Sequence, residues 1–182
     1  LSVGNLNAYN TLTGTTFLNT NALTDIVFNI TTPSGGYNFQ INGCTFSDYM
    51  TMNLSGSDIF LEANTAPNTY NGNVTFNVNS SVTTNFCIAG PSQFNGNLSL
   101  VRSVGGSTSL FIAGGSITGN FNYQNLLGGN TGFGNGSTTT TINGTCTINA
   151  TYPSPANFGM HRIKNLTSGG SIQVLNFLAP FI

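Results

Sequence analysis

Charge is nearly missing from this chain: of 182 residues, only Arg102, Arg162, Lys164, Asp25, Asp48, Asp58 and Glu62 carry it. A nucleic-acid binder neutralises a run of phosphates with several cations. Three cations on a chain of this length cannot do so, and the one small cluster, Met160-His161-Arg162-Ile163-Lys164, is too thin. No polybasic segment is available for anionic lipid. No apolar run reaches the length of a membrane span, and no basic-then-apolar leader is present. The expectation is no nucleic acid and no membrane insertion.

Metal-binding patterns are missing too. Cys44, Cys87 and Cys146 are widely spaced, no CxxC pair exists, and His161 is the only histidine. These cannot complete a zinc site, so no metal and no cofactor is expected. The cysteines read as buried small hydrophobes, with a single disulfide or an intermolecular link as the alternatives. Strong helix formers seldom sit together, so helix is not expected.

What remains is Asn, Thr, Ser and Gly for the surface, and 14 Phe and 6 Tyr with many Ile, Val and Thr for the interior. Disordered chains lack aromatic and β-branched residues, and this bias favours strands. A wettable surface with almost no long-range field fits an extracellular or cell-surface protein. The chain begins at Leu1, and its apolar last segment, Leu175 to Ile182, reads as a cap or as a seam against further protein. It is expected to be a processed protein, or a fragment or subunit of a larger assembly.

A repeat near 24 residues organises the sequence. Tyr70-Asn71-Gly72-Asn73-Val74-Thr75-Phe76 returns as Phe94-Asn95-Gly96-Asn97-Leu98-Ser99-Leu100, a spacing of 24. Ile117-Thr118-Gly119-Asn120-Phe121 follows at 23, and Ile142-Asn143-Gly144-Thr145-Cys146 at 25. Backwards by 24, the trio Val74, Phe76 and Val78 lands on Met50, Met52 and Leu54, then on Ile26, Phe28 and Ile30. A second segment repeats with it: Phe86-Cys87-Ile88-Ala89-Gly90 matches Leu110 to Gly114 at 24, and Ile59 to Ala63 aligns with Phe86 onward at 27. Phe39-Gln40-Ile41 holds the equivalent place before Phe46. A corner column reads Phe46, Tyr70, Phe94, Ile117, Ile142.

A coil of this length cannot bury its own apolar face, but stacked coils share a continuous core. The spacing therefore predicts an all-β, parallel β-helix (β-solenoid) as a single domain over 1–182. About seven coils at roughly 4.8 Å each give a rod near 35 Å long. The predicted core stack is Ile26, Phe28, Met50, Met52, Val74, Phe76, Leu98, Leu100, Phe121 and Cys146. Corner turns are expected at Asn71, Gly72, Asn95, Gly96, Gly119, Asn143 and Gly144, with glycine supplying positive φ. Asn71 and Asn95 are candidates for a side-chain ladder, interrupted by Thr118 and resumed at Asn143. A β-sandwich is the rival, because Asn-Gly also marks hairpins. The spacing loosens after Tyr123, through Gly128-Gly129-Asn130 and Gly132-Phe133-Gly134-Asn135-Gly136.

The runs Asn68 to Phe76 and Gln93 to Leu98 resemble the F-N-G-N/D-(V/I/L)-T repeats of very large surface proteins of Bacteroidetes. Ile59-Phe60-Leu61-Glu62-Ala63-Asn64 resembles the "LYLAN" segment preceding those repeats. The likeness covers roughly residues 50 to 150, departs at Thr118-Gly119, and involves proteins far longer than this chain. It implies an adhesin or a gliding or type 9 secretion cargo, a stalk rather than a catalyst.

Catalytic patterns offer the rival reading. A polysaccharide-cleaving β-helix needs paired carboxylates, or acids binding Ca²⁺ with a basic residue nearby. Asp25 and Asp48 can approach on successive coils, Asp58 and Glu62 lie four apart, and all read as solvated acids or turn caps. Convergence of these four with Arg102 in one groove would favour the enzyme. His161 reads as a surface residue. No G-x-S-x-G elbow and no phosphate loop occurs. Nine Asn-x-Ser/Thr sequons, among them Asn29, Asn53, Asn73 and Asn97, are about what this composition gives by chance. Phe60 and Phe111, with Cys87 in their column, are read as facing outward, a candidate contact surface for sugars or neighbouring rods.

The expectation is a structural or adhesive rod without catalytic residues. Its expected partners are neighbouring repeats, identical subunits end to end, or surface polysaccharide. The alternative is a polysaccharide-binding or polysaccharide-cleaving β-helix.

Overall fold

The computed structural model describes residues 5–9, 15–18, 21–22, 25–32, 38–56, 59–80, 83–125, 127, 130–134, 138–150, 158–159, 166–168 and 172–175. Among them are 22 strands and no helix. Three strands recur in fixed order along the chain, and each joins its own parallel sheet.

The first sheet stacks β1 (Asn5–Tyr9), β4 (Ile26–Thr32), β7 (Met50–Gly56), β10 (Val74–Ser80), β13 (Leu98–Arg102), β16 (Phe121–Asn125), β19 (Cys146–Ala150) and β22 (Ile172–Leu175). The second stacks β2 (Thr15–Leu18), β5 (Asn38–Asn42), β8 (Ile59–Glu62), β11 (Thr84–Asn85), β14 (Thr108–Leu110), β17 (Thr131–Phe133) and β20 (Phe158–Gly159). The third stacks β3 (Asn21–Ala22), β6 (Thr45–Phe46), β9 (Thr69–Tyr70), β12 (Ser92–Phe94), β15 (Gly115–Ile117), β18 (Thr140–Ile142) and β21 (Leu166–Ser168). The solenoid expectation holds. A sandwich would pair antiparallel neighbours, whereas every ladder here is parallel, as in Met50↔Val74↔Leu98↔Phe121↔Cys146.

Alternation explains the core. In β7, β13 and β16 every second residue is buried, because successive side chains of a strand point to opposite faces. All ten residues of the predicted stack are inside, none more than 5% exposed. The corner column is also inside, and its aromatic rings lie face to face: Phe46 on Tyr70 at 5.1 Å, Tyr70 on Phe94 at 4.7 Å. Register also persists past Tyr123, where the sequence spacing loosens: Tyr123 pairs with Ile148, and Ile148 with Val174.

Three expectations are corrected. First, Phe60, Cys87 and Phe111 do not face outward; each is at most 1% exposed. Phe60 lies in register with Phe39 and Thr84 on the inward face of the second sheet. Cys87 and Phe111 adopt left-handed φ of 53° and 55°, as does Ala63 at 53°. That bend interrupts the alternation, so Phe86 and Cys87, like Leu110 and Phe111, are buried in succession. The contact surface assigned to Phe60 and Phe111 is therefore core.

Second, the 27-residue offset for Ile59 onward is wrong. Leu61 pairs with Asn85, which puts Glu62 opposite Phe86 and Ala63 opposite Cys87 at 24. Third, Gly72, Gly96, Gly119 and Gly144 are not left-handed; positive φ falls on Gly43, Gly56, Gly106, Gly114 and Gly134. The corner glycines are needed for closeness instead. A Cβ on Gly96 would lie 2.6 Å from the Gly72 carbonyl oxygen, and one on Gly72 would lie 2.5 Å from the Asp48 carbonyl carbon.

Candidate functional site

Outward positions of the first sheet form columns without charge. Thr51, Thr75, Ser99, Asn122 and Thr147 make one column, and Asn29, Asn53, Asn77, Val101, Gln124 and Asn149 the next, all half-buried. Asn53 Nδ2 donates to Asn29 Oδ1 at 2.7 Å, and Asn77 Nδ2 to Asn53 Oδ1 at 2.8 Å. Each amide thus uses the coil spacing to satisfy the next. A second ladder is the expected one, Asn95 Nδ2 to Asn71 Oδ1 at 2.8 Å.

A third ladder was not foreseen. The Oδ1 of Asn73 accepts the Asn97 backbone N–H, that of Asn97 accepts Asn120 N–H, and that of Asn120 accepts Thr145 N–H, at 2.8–2.9 Å. Asp25 performs the same task, accepting Tyr49 N–H at 3.2 Å. The repeated Asn at the third corner position was the available signal.

Inside the rod, the sequence hid two polar centres. Glu62 occupies an inward column otherwise held by Ile41, Phe86 and Leu110, and is fully buried. Its Oε1 accepts from Asn68 Nδ2 at 2.6 Å, Ser92 Oγ at 2.7 Å and Tyr70 Oη at 3.1 Å; its Oε2 accepts Cys87 N–H at 2.8 Å. Four donors on one carboxylate offset much of the cost of removing it from water. Burial, then the facing carboxylate, pushes the Tyr70 phenol and the Cys87 thiol well above their usual ranges. The signal for Glu62 was a polar residue 24 before Phe86 in an apolar column.

Arg102 continues the column Ile30, Leu54, Val78 and is buried as well. Its Nη1 donates to Thr84 Oγ1 at 3.2 Å and Thr108 Oγ1 at 3.1 Å, and its Nε to the Val104 carbonyl at 3.1 Å. Burial lowers its pKa. Next to it in register, Asn125 donates to Tyr123 Oη at 3.3 Å, and Tyr123 Oη meets Thr131 Oγ1 at 2.7 Å. Counting 24 onward from Val78 would have found Arg102.

Among the described residues, the acids and arginine with a candidate catalytic reading divide between surface and interior. Asp25 and Asp48 are exposed and meet at Tyr49 N–H, which Asp48 Oδ1 accepts at 2.9 Å. Glu62 and Arg102 are interior and bind different partners. Asp58, His161, Arg162, Lys164 and the segment 176–182 lie outside the described residues. Among the described residues no group of three or more His, Cys, Asp or Glu could hold a metal ion, and no helix is long and apolar enough to cross a membrane. Cys44, Cys87 and Cys146 are buried and form no disulfide with one another, as expected of small hydrophobes. No family model, no curated protein and no solved structure matches this chain.

Proposed function

We propose that this chain is an extracellular structural or adhesive rod, without catalysis, that meets neutral surface polysaccharide along its first-sheet face and identical or neighbouring repeats at its ends. The observation behind this reading is the outward face from Val27 to Asn149, which is built of amides, hydroxyls and two valines and carries no charge. Such a face offers hydrogen bonds at every coil and no field to select an ionic partner. Identical weak contacts repeated along a rigid rod add as multivalency without one strong site. The likeness of the corner repeats to Bacteroidetes surface proteins supports the same role, that of an adhesin or type 9 secretion cargo.

The test is adhesion of beads coated with the purified chain to films of neutral dextran or cellulose and of anionic alginate. Retention on a neutral film that survives raised salt is expected, since screening acts on charge. Binding only to alginate, abolished by salt, would refute the adhesive reading. Electron microscopy separates rod from filament: fibres that lengthen with concentration identify head-to-tail stacking, the open-ended form of heterologous contact.

A further inference from the structure

We propose that Asn68 and Ser92 become joined by an intramolecular ester, formed by acyl transfer at a buried site built around Glu62. The two residues sit one coil apart, Cys44, Asn68 and Ser92 following one another in the chain at 24-residue steps. Ser92 Oγ accepts the backbone N–H of Asn68 at 3.0 Å, so the hydroxyl is seated against the residue that would acylate it. The same Oγ donates to Glu62 Oε1 at 2.7 Å, and the Asn68 amide nitrogen donates to that same oxygen at 2.6 Å. Nucleophile and leaving group thus share one carboxylate oxygen. The Asn68 carbonyl is polarised by Cys44 N–H, which donates to Oδ1 at 2.8 Å.

Each component has a role in acyl transfer. Ser92 Oγ adds to Asn68 Cγ while its proton passes to the Glu62 carboxylate, which acts as general base. Negative charge gathers on Asn68 Oδ1, where the Cys44 N–H is already aimed. The Cγ–Nδ2 bond then breaks, Glu62 returns the proton to the departing nitrogen, and ammonia leaves. One C–N bond is exchanged for one C–O bond, and no oxidant, reductant or co-reactant is consumed. Glu62, Asn68 and Ser92 are each at most 1% exposed, so water is kept from competing and from hydrolysing the product.

Cys87 is the competing nucleophile: its backbone N–H donates to the other Glu62 oxygen and its thiol also reaches Glu62 and Ser92, but burial pushes that thiol well above its usual range and keeps it protonated. The cross-link would tie successive coils together wherever the rod works, so the proposal stands apart from the adhesive reading.

Intact-mass spectrometry of the folded full chain is the first test, with a mass lower by one ammonia expected. Peptide mapping should then show the peptides of Asn68 and Ser92 covalently linked. Ser92→Ala and Glu62→Gln should both restore the full mass, while Cys87→Ser keeps the link. A folded wild-type chain at full mass overturns the proposal. So does ammonia loss that maps to a succinimide at an Asn-Gly pair, or to Cys87. The wild-type measurement decides even if a variant fails to fold.

Discussion

Tyr70 lies flat on Phe94 one coil away, with ring centroids 4.7 Å apart and planes 5° from parallel. Phe46 covers its other face at 5.1 Å. The same side chain donates its hydroxyl to Glu62, so it links the apolar stack to the interior polar centre. Tyr70→Ala removes both roles and should cost about 3–5 kcal/mol, the range for truncating a buried aromatic. Tyr70→Phe keeps the stack and loses one hydrogen bond to a charged group, about 1.5–3 kcal/mol. Because solenoid coils depend on their neighbours, hydrogen exchange should show the coils around residue 70 opening first. Equal unfolding curves for the two variants would show that the stack contributes nothing.

The corner glycines act by permitting contact between stacked backbones. Gly96→Ala would place a methyl 2.6 Å from the Gly72 carbonyl oxygen, whereas a Cβ at Gly132 meets nothing within 4 Å. Gly96→Ala should therefore destabilise by about 1–3 kcal/mol, the cost of overpacking. Gly132→Ala should be neutral or stabilise by about 0.4–1 kcal/mol, through a less disordered unfolded chain. Urea unfolding of both proteins checks this, and a reversed order would refute the close-approach argument.

The third-sheet corner was legible in the sequence because three residues separate the third-sheet strand from the next first-sheet strand, from Phe46 to Met50 through Ile142 to Cys146. A constant loop keeps Phe46, Tyr70, Phe94, Ile117 and Ile142 in phase, so counting finds them. The second-sheet corner was misread because Ala63, Cys87 and Phe111 are left-handed. Alternation assumes extended backbone, and one such residue restarts the count on the same face. Glu62 was misread because charge was taken as a mark of the surface, and the burial of Arg102 went unrecognised although the coils before each of them hold apolar residues in the same column. Their burial depends on donors and acceptors brought from other coils, such as Ser92 for Glu62 and Thr84 for Arg102, which no local pattern reveals.

Alkaline pH should loosen the rod before it affects an exposed surface. Burial pushes the Cys146 thiol from 9.0 up to about 11, and burial raises the Cys87, Tyr70 and Tyr123 groups in the same direction. Each is neutral when protonated, and the folded state holds the proton more tightly than the unfolded chain. Their contribution is fully present below pH 9, the unfolded thiol value, and is lost as pH rises through about 11 for Cys146. Thermal unfolding followed from pH 8 upward should show a falling midpoint. Cys146→Ala should flatten the first part of that fall, and an unchanged profile in this variant would exclude Cys146 as a contributor.

Asn53 is the middle member of the outer amide ladder, donating to Asn29 Oδ1 at 2.7 Å and accepting from Asn77 Nδ2 at 2.8 Å. Aspartate has the same shape but, when ionised, only accepts. Asn53→Asp would still receive Asn77 but would face the Asn29 carbonyl oxygen with a second acceptor. The variant should lose about 1–2 kcal/mol at neutral pH. Part of that loss should return as pH falls toward about 4, as the carboxyl protonates and regains a donor. The sign follows from linkage: a carboxyl facing an acceptor is held above its unfolded pKa, so it stabilises only while protonated. Urea midpoints for wild type and variant at pH 7 and pH 3.5 give the comparison. If the gap between the two proteins is the same at both pH values, the ladder is not what holds that face in register.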